Sequence, residues 1–179
     1  MFRFIDEEKP DYVTVAFDLS APTFRHKTYA EYKGTRKPML PELKQQVPLM
    51  KELLKAMNIR IVEKEGFEAD DLLGTIAKNS QKEGIDVSIV SGDRDLLQLA
   101  DDKIKIRIPK TKKGSTEVED YYPEDVKTLY GVTPQEFIEM KALMGDTSDN
   151  IPGAPGIGPK TASALIVQYH DINNIFEHM

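Results

Sequence analysis

The chain has 179 residues, of which 40% are hydrophobic and 30% charged, with a formal net charge of −6. This composition is typical of one globular domain, or of a domain with a small appendage, and excludes a disordered or fibrous chain. The sequence contains no cysteine, which excludes disulfides and thiolate metal sites. Without an apolar run near the ~18 residues that span a bilayer, and without a signal peptide, we expect a cytoplasmic protein with no membrane segment.

Hydrophobic patterns predict strands that alternate with helices in the first two thirds of the chain. This alternation indicates an α/β domain with a mainly parallel sheet. A polar stretch after the first strand looks too basic and irregular to pack, and Pro48 should kink its helix or mark the helix's true start. The predicted strands are residues 12–17, 59–62 and 86–90 and an edge hairpin of 104–108 with 115–118 around KTKKG, and the predicted helices are 41–57, 68–82 and 95–99.

The strand signal vanishes after about Tyr122, and four short helices are predicted in the remainder. Three of them open on proline, a favoured first residue of a helix. The predicted helices are residues 123–130, 134–144, 159–168 and 172–178.

Acidic residues recur at predicted strand ends and helix starts. A single carboxylate there can be a helix cap, which contributes roughly 0.3–1 kcal/mol, but capping needs one residue per helix and does not explain repeated pairs. Carboxylates held together repel one another unless protons or hard cations such as Mg²⁺ neutralise them. At the carboxyl ends of parallel strands, this pattern favours a two-metal phosphodiester site. The residues are Asp18, Glu68, Asp70, Asp71, Asp93, Asp95, Asp146 and Asp149.

A glycine turn, Gly156-Ile157-Gly158, directly precedes the helix predicted from Pro159. Glycines allow close backbone approach, and free N–H groups at a helix start bind phosphate. Lys160 adds a positive charge, and Thr161 begins a face of small residues. This is the helix-hairpin-helix pattern, which contacts a DNA backbone without reading sequence. An ordinary helix pair with a glycine link is the alternative.

The stretch from Phe24 to Pro38 mixes cations with aromatic residues. Such interleaving suits single-stranded nucleic acid, through phosphate contacts and base stacking. A solvated basic loop fits the composition equally well. The cations are Arg25, Lys27, Lys33, Arg36 and Lys37, and the aromatic residues are Phe24, Tyr29 and Tyr32.

Taken together, these segments closely resemble the 5′-nuclease domain of bacterial DNA polymerase I, in the flap endonuclease family. The resemblance runs in family order from about Lys9 to the C-terminus. The matching segments are AFD (16–18), FRHKTYAEYKGTRKPM (24–39), GFEADDLLGTIA (66–77), SGDRDLLQLA (91–100) and YGVTPQEFIEMKALMGDTSDNIPGAPGIGPKTA (130–162).

The resemblance implies a PIN-like α/β domain followed by an all-α helix-three-turn-helix module. We assign residues 1–121 to the first, with a basic arch at 19–40, and residues 122–179 to the second. It implies structure-specific cleavage of DNA at 5′ ends and flaps, in replication and repair, with two Mg²⁺ ions that Mn²⁺ can replace. The implied partners are DNA with 5′ flaps, nicks or gaps and a polymerase domain of the same polypeptide, and the implied state is a monomer.

Roles carry over from the family at matching positions. The first metal would be held by Glu68, Asp70 and Asp93, with Asp18 behind it, and the second by Asp95, Asp146 and Asp149, with Asp71 supporting the cluster. Arch residues Arg25, Tyr32, Lys33 and Arg36 would contact the DNA, with Lys33 and Arg36 acting at the scissile phosphate. The hairpin would grip the duplex, together with a monovalent cation, through Gly156, Gly158, Lys160 and Thr161.

Members of the family begin with a central strand that ends in Ile-Asp-Gly-Asn, whose aspartate is a metal ligand. This sequence has no candidate for that aspartate, so we expect a domain truncated at its N-terminus and incomplete at its C-terminus. A non-catalytic fragment that binds branched DNA is therefore the alternative function. A Mg²⁺-dependent phosphotransferase or phosphatase is a third, although it leaves the hairpin and the basic stretch unexplained.

Overall fold

The computed structural model describes the backbone of residues 1–112 and 115–179 and the side chains of residues 1–111 and 117–179. A 3-10 turn at Arg94–Leu99 accompanies the helices and strands. The helices are α1 (Phe2–Glu8), α2 (Phe24–Thr28), α3 (Pro41–Ala56), α4 (Ala69–Lys82), α5 (Pro123–Tyr130), α6 (Pro134–Met144), α7 (Pro159–Tyr169) and α8 (Ile172–Glu177). The strands are β1 (Thr14–Ala16), β2 (Arg60–Val62), β3 (Val87–Val90), β4 (Ile104–Lys112), β5 (Ser115–Tyr121), β6 (Gly145–Asp146) and β7 (Ile151–Pro152).

The chain forms two compact units. Unit one contains Met1–Thr28 and Lys37–Leu72, and unit two contains Tyr29–Arg36 and Leu73–Met179. Each unit therefore combines segments that are far apart in the sequence.

Unit one is built around the parallel pair of β1 and β2, whose register sets Thr14 opposite Arg60. Helix α3, which lies between these strands in the sequence, buries Leu54, which is 3% exposed. Pro48 lies inside α3, and the helix begins at Pro41. The prediction that Pro48 marks the start of this helix is wrong, because the helix continues through the single position at which proline cannot donate a backbone hydrogen bond.

Unit two contains a three-stranded sheet in the order β3-β4-β5, in which β3 and β4 are parallel and β4 and β5 antiparallel. The antiparallel pair is the predicted hairpin, and it is longer than its apolar residues indicated. The tip of that hairpin, Lys113 and Gly114, lies outside the described residues. The sheet and the following helices share one hydrophobic core, whose most buried side chains are Leu97, Ile104, Ile106, Val126, Val132, Met140 and Ile166.

The four predicted C-terminal helices are confirmed as α5 to α8. Proline occupies the first turn of α5, α6 and α7, as its fixed φ and missing N–H favour. At the start of α6, Thr133 and Glu136 form a reciprocal capping box. Local sequence signals are therefore sufficient to place these helices.

Residues 19–40 depart from the expectation that this stretch is too irregular to pack. Its first part contains α2, and farther along it the Tyr32 side chain is only 4% exposed. That expectation is wrong for Tyr32, because an aromatic ring can bury most of its area while its hydroxyl keeps a hydrogen bond. The N-terminal segment MFRFIDEEKP, whose likeness to the family predicts the tail of a helix, contains helix α1, whereas the short β6–β7 pair lay outside the predicted elements.

Across the described residues, no helix combines the length and the apolar character that a membrane crossing requires.

Candidate active site

In unit one, acidic residues gather at the start of α4. Asp18, which follows β1, accepts a hydrogen bond from the Ala69 N–H at 2.7 Å. Asp71 accepts one from the Glu68 N–H at 2.9 Å. Asp70 lies beside Asp71 in the first helical turn. Carboxylates at the start of a helix accept hydrogen bonds from its free N–H groups and interact favourably with the helix dipole. Asp18 and Asp71 therefore cap α4, in addition to any role in metal binding.

Arg25 of α2 forms a bidentate ion pair with this acidic cluster. Both terminal nitrogens donate to the Asp71 carboxylate at 2.8 Å, and one lies 3.4 Å from a Glu68 oxygen. The guanidinium also stacks 4.6 Å from the centre of the Phe24 ring. A planar guanidinium paired in this way is held firmly in place. Arg25, predicted to contact DNA, is therefore bonded to the acidic cluster in this structure.

In unit two, a tight turn after β3 positions two carboxylates. Asp93 caps the 3-10 turn by accepting from the Asp95 N–H at 2.8 Å, and the Ser91 hydroxyl accepts from the Asp93 N–H at 3.1 Å. Arg94, between the two acids, donates to the Tyr130 hydroxyl at 2.9 Å. Hydrogen bonds to its own backbone N–H groups therefore hold the turn, and Arg94 connects it to Tyr130 at the end of α5.

Lys141 in the last turn of α6 bridges two of the predicted metal ligands. Its Nζ lies 2.9 Å from Asp95 Oδ1 and 2.7 Å from Asp146 Oδ2. Burial raises the pKa of the Asp95 carboxyl, against the opposing effect of Lys141. Burial also acts to raise the pKa of Asp146, but hydrogen bonds from Lys141 and Ser148 outweigh it and hold that pKa well below its usual range. The two carboxylates also raise the pKa of Lys141, although burial alone would lower it.

The loop between β6 and β7 wraps around the Asp146 carboxylate. The Ser148 N–H and hydroxyl donate to Asp146 Oδ1 at 2.8 and 2.6 Å. At the base of the loop, Gly145 has φ +71°, and a Cβ added there would lie 2.3 Å from the Gly153 nitrogen. Only glycine allows this approach at this φ, so the two glycines close the loop that carries Asp146 and Asp149.

Residues 29–36 pack onto this same loop. The Tyr32 hydroxyl donates to Asp149 Oδ2 at 2.9 Å, and Arg36 donates to Asp149 Oδ1. The Lys33 N–H bonds to the Asp149 carbonyl at 2.8 Å, with Lys33 in a left-handed conformation. Three of the predicted arch residues therefore contact the predicted metal ligand Asp149: Tyr32 and Arg36 through its carboxylate and Lys33 through its backbone carbonyl.

The N-terminus of α7 is exposed. Gly158 precedes the helix without any side-chain cap, and Gly156 has φ +78°. A Cβ added at either glycine would meet no atom within 4 Å, and Lys160 and Thr161 are exposed. The first N–H groups of this eleven-residue helix are thus available to an outside acceptor.

Within the residues that the structure describes, no three acidic or histidine side chains are grouped closely enough to bind a metal ion. The metal-ligand roles of Glu68, Asp70, Asp93, Asp95, Asp146 and Asp149 therefore stay predictions. The sequence analysis named Arg25 and Arg36 as DNA contacts but did not reveal that they pair with these acids, and it did not single out Lys141 at all. Lys141 precedes Asp146 by five positions, which was the one local signal that could have suggested it.

Comparison with known proteins identifies the class. Residues 1–131 match the family model of the 5′-3′ exonuclease N-terminal resolvase-like domain, and residues 132–179 match that of the 5′-3′ exonuclease C-terminal SAM fold. The chain belongs to the 5′-3′ exonuclease family. The predicted family and the predicted fold class, a PIN-like α/β domain followed by a helical module, are confirmed.

Curated relatives point to a particular member of this class. The chain is 50% identical over 177 residues to DNA polymerase I of Bacillus subtilis, which covers 99% of this chain and 20% of the relative. It is 49% identical over 173 residues to DNA polymerase I of Bacillus caldotenax, with 97% and 20% covered. The chain thus corresponds to the 5′-3′ exonuclease region of bacterial DNA polymerase I and spans about a fifth of the length of these relatives.

Solved structures agree on the fold. A protein of bacteriophage T5, co-crystallised with metal ions, superposes with a TM-score of 0.80 at 26% identity, covering 98% of this chain and 68% of that one. The T5 flap endonuclease, crystallised as a pseudo-enzyme-product complex with DNA and metal ions, gives a TM-score of 0.80 at 25% identity, covering 99% and 67%.

Proposed function

We propose that this chain hydrolyses DNA phosphodiester bonds at 5′ ends and 5′ flaps, as the nuclease region of a DNA polymerase I. One observation carries the proposal: Asp95 and Asp146, from separate elements, converge on a single cation, Lys141 Nζ. Charged oxygens that meet around a cation are what a hard divalent ion requires. Both related T5 structures contain metal ions, which supports the same conclusion.

The carboxylate chemistry of the proposed ligands suits two divalent ions, which we take to be Mg²⁺ with Mn²⁺ as a substitute. All the proposed ligands are carboxylates, as hard cations prefer. Such ions, when bound, polarise the phosphodiester and lower the pKa of the attacking water. The proposed ligands are Glu68, Asp70 and Asp93 for the first ion, with Asp18 behind them, and Asp95, Asp146 and Asp149 for the second, with Asp71 supporting the cluster.

The chain's own cations and helix ends bind the rest of the DNA in this proposal. Lys33 and Arg36 neutralise the scissile phosphate, and Arg25 holds the adjoining strand. The predicted DNA contact of Tyr32 does not fit its burial, because its side chain is only 4% exposed and its hydroxyl is bonded to Asp149; Tyr32 therefore supports this segment from within. The exposed start of α7 is suited to a phosphate farther along, because its free N–H groups and the charge of Lys160 attract an anion without reading sequence. The contributing hairpin residues are Gly156, Gly158, Lys160 and Thr161, acting together with a monovalent cation.

The wider setting follows from the relatives. Because they are DNA polymerases I of about five times this length, we propose that a polymerase domain of the same polypeptide fills the gap that this nuclease creates. We further propose that the protein acts as a monomer in the cytoplasm on flapped, nicked or gapped DNA. Residues 1–121 form the nuclease core with its arch at 19–40, and residues 122–179 form the DNA-binding module.

The test compares cleavage of a 5′-flap DNA in Mg²⁺ by the wild-type chain, Asp146→Asn and Asp101→Asn. Asp101 is a matched control, because it also pairs with a lysine, Lys78, at 3.2 Å but lies outside the proposed ligands. We expect Asp146→Asn to reduce cleavage by about 100-fold or more and Asp101→Asn to retain it. Full activity in Asp146→Asn would refute the assignment. Salt-sensitive binding of flap DNA without any cleavage by the wild type would favour a non-catalytic DNA-binding module instead.

A further inference from the structure

Lys141 occupies a position that the proposed function leaves without a role. Its ammonium group lies between Asp95 and Asp146, at 2.9 and 2.7 Å, and its side chain is 21% exposed. The Asp146 side chain is 16% exposed, so this pair is well shielded from water. A lysine in the last turn of a helix needs no acidic partner, since the helix dipole already favours it there. The double pairing therefore calls for a separate explanation.

We propose that Lys141 is an internal counter-cation, which a divalent ion must displace in order to bind Asp95 and Asp146. This inference rests on the proposed function, because it concerns the ligands of the second ion. Lys141 holds the two carboxylates together in the absence of metal. It also sets the concentration of divalent ion at which the second site fills.

Interatomic distances show why a divalent ion and the Lys141 ammonium group compete for the oxygens of Asp95 and Asp146. Mg²⁺ binds carboxylate oxygens at ~2.0–2.1 Å and requires near-octahedral geometry. The same Asp95 and Asp146 oxygens already lie within hydrogen-bond distance of Lys141 Nζ. An ion bound to those oxygens would lie at short range from a positive ammonium group, and like charges repel one another. A bound ion and the Lys141 ammonium therefore compete for these two carboxylates.

Lysine is suited to such a displaceable role. Its charge sits at the end of a flexible four-carbon stem, so the ammonium can swing into water while the stem stays packed. Asp149, the third proposed ligand, is bonded instead to Tyr32 and Arg36. Displacement at Lys141 thus frees two of the three ligands in one movement.

The experiment measures Mn²⁺ binding without DNA, by electron paramagnetic resonance of free Mn²⁺ during a titration. We expect Lys141→Met to bind Mn²⁺ at the second site about tenfold more tightly than the wild type, the size of one charge-assisted hydrogen bond lost as a competitor. Lys141→Arg keeps the competing charge and should bind like the wild type. Lys78→Met removes a comparable lysine from Asp101 and should change nothing.

Two further variants make the result decisive. Lys141→Met combined with Asp146→Asn should lose the gain, and a gain that persists would place the ion elsewhere and overturn the proposal. Unchanged or weaker Mn²⁺ binding in Lys141→Met would also overturn it, since Lys141 would then only support the site. Circular dichroism checks folding, and Lys141→Gln replaces Lys141→Met if the latter fails to fold. Absence of flap cleavage by the wild type would refute the proposed function without altering the Mn²⁺ comparison.

Discussion

The hydroxyl of Tyr32 donates to Asp149 Oδ2 at 2.9 Å, although the two residues are 117 positions apart. This bond fixes residues 29–36 to the loop that carries two of the proposed second-ion ligands. Arg36 and the Lys33 N–H reinforce the same attachment. Residues 29–36, which would contact the DNA strand, and the β6–β7 loop, which would bind the metal, are therefore held together within unit two.

Tyr32→Phe tests this attachment. The variant keeps the buried ring and removes only the hydroxyl, so we expect a loss of about 1.5 kcal/mol in the free energy of unfolding, as for a hydrogen bond to a charged group. Urea unfolding followed by circular dichroism measures it. Tyr12→Phe is the control, because Tyr12 is 81% exposed and its hydroxyl should contribute less than about 0.5 kcal/mol. Equal effects of the two variants would contradict the proposed attachment.

Gly145→Ala tests the closure of the β6–β7 loop. The variant sets a methyl group 2.3 Å from the Gly153 nitrogen at φ +71°, so strain and overlap together should cost about 3 kcal/mol or more. Gly84→Ala is the matched control: its φ is +81° and its nearest neighbour is a lysine nitrogen at 4.0 Å, which leaves a strain of about 1 kcal/mol. Melting temperatures measure both. Similar melting temperatures would show that the loop rearranges instead.

Glu136→Gln tests the capping box of α6 through pH. Hydrogen bonding from the Thr133 backbone N–H, aided by His170, holds the pKa of Glu136 below its usual value against the effect of burial. A lowered pKa in the folded state stabilises the protein above the unfolded pKa of about 4.3, and this stability is lost as the pH falls through the folded pKa. Because glutamine can keep the capping-box hydrogen bond but not the negative charge, Glu136→Gln should unfold more easily at neutral pH by about 0.5 kcal/mol.

The same variant should also show a shallower loss of stability below about pH 4.3. Urea unfolding at several pH values between neutral and acid provides the comparison. Parallel curves for the wild type and Glu136→Gln would mean that this carboxylate contributes nothing to the acid sensitivity of the fold.

Lys160→Ala tests the helix-hairpin-helix contact and depends on the proposed function. Loss of one phosphate contact should weaken binding of flap DNA equally for all sequences and reduce the slope of log affinity against log salt by about 1. Fluorescence anisotropy over a range of salt concentrations measures this slope. Lys82→Ala, an exposed lysine in the last turn of α4, should leave the slope unchanged. An unchanged slope in Lys160→Ala would contradict the predicted contact between Lys160 of α7 and a DNA phosphate.

Sequence was most informative where the cause is local. The prolines at the starts of α5, α6 and α7 and the Thr133–Glu136 box specify helix ends by contacts within one turn. The acidic pairs were likewise visible, because strand ends and helix starts can be located from hydrophobic patterns. What the sequence could not supply were the partners of those acids. Arg25 reaches Asp71 across 46 positions, and no spacing rule relates residues that meet only through tertiary packing.

The arch segment shows the same limit. Its composition fits a solvated loop, and the prediction that the stretch does not pack failed at Tyr32 because one buried ring and one long-range hydrogen bond outweigh a basic, irregular surrounding sequence. Lys141 could not be predicted for a different reason. It lies on a helix with an ordinary hydrophobic pattern, and only the positions of Asp95 and Asp146 make it unusual.

The backbones of Gly145 and Gly153 approach each other closely, so residues 145–153 form a small ring that is closed by noncovalent contact. Side chains on that ring can change, and Asp146 and Asp149 show that they can carry charge. The number of residues in the ring cannot change, because one added or deleted residue would shift one glycine out of register with the other. The spacing of the two aspartates is therefore set by ring size, and evolution of this loop should proceed by substitution and not by insertion or deletion.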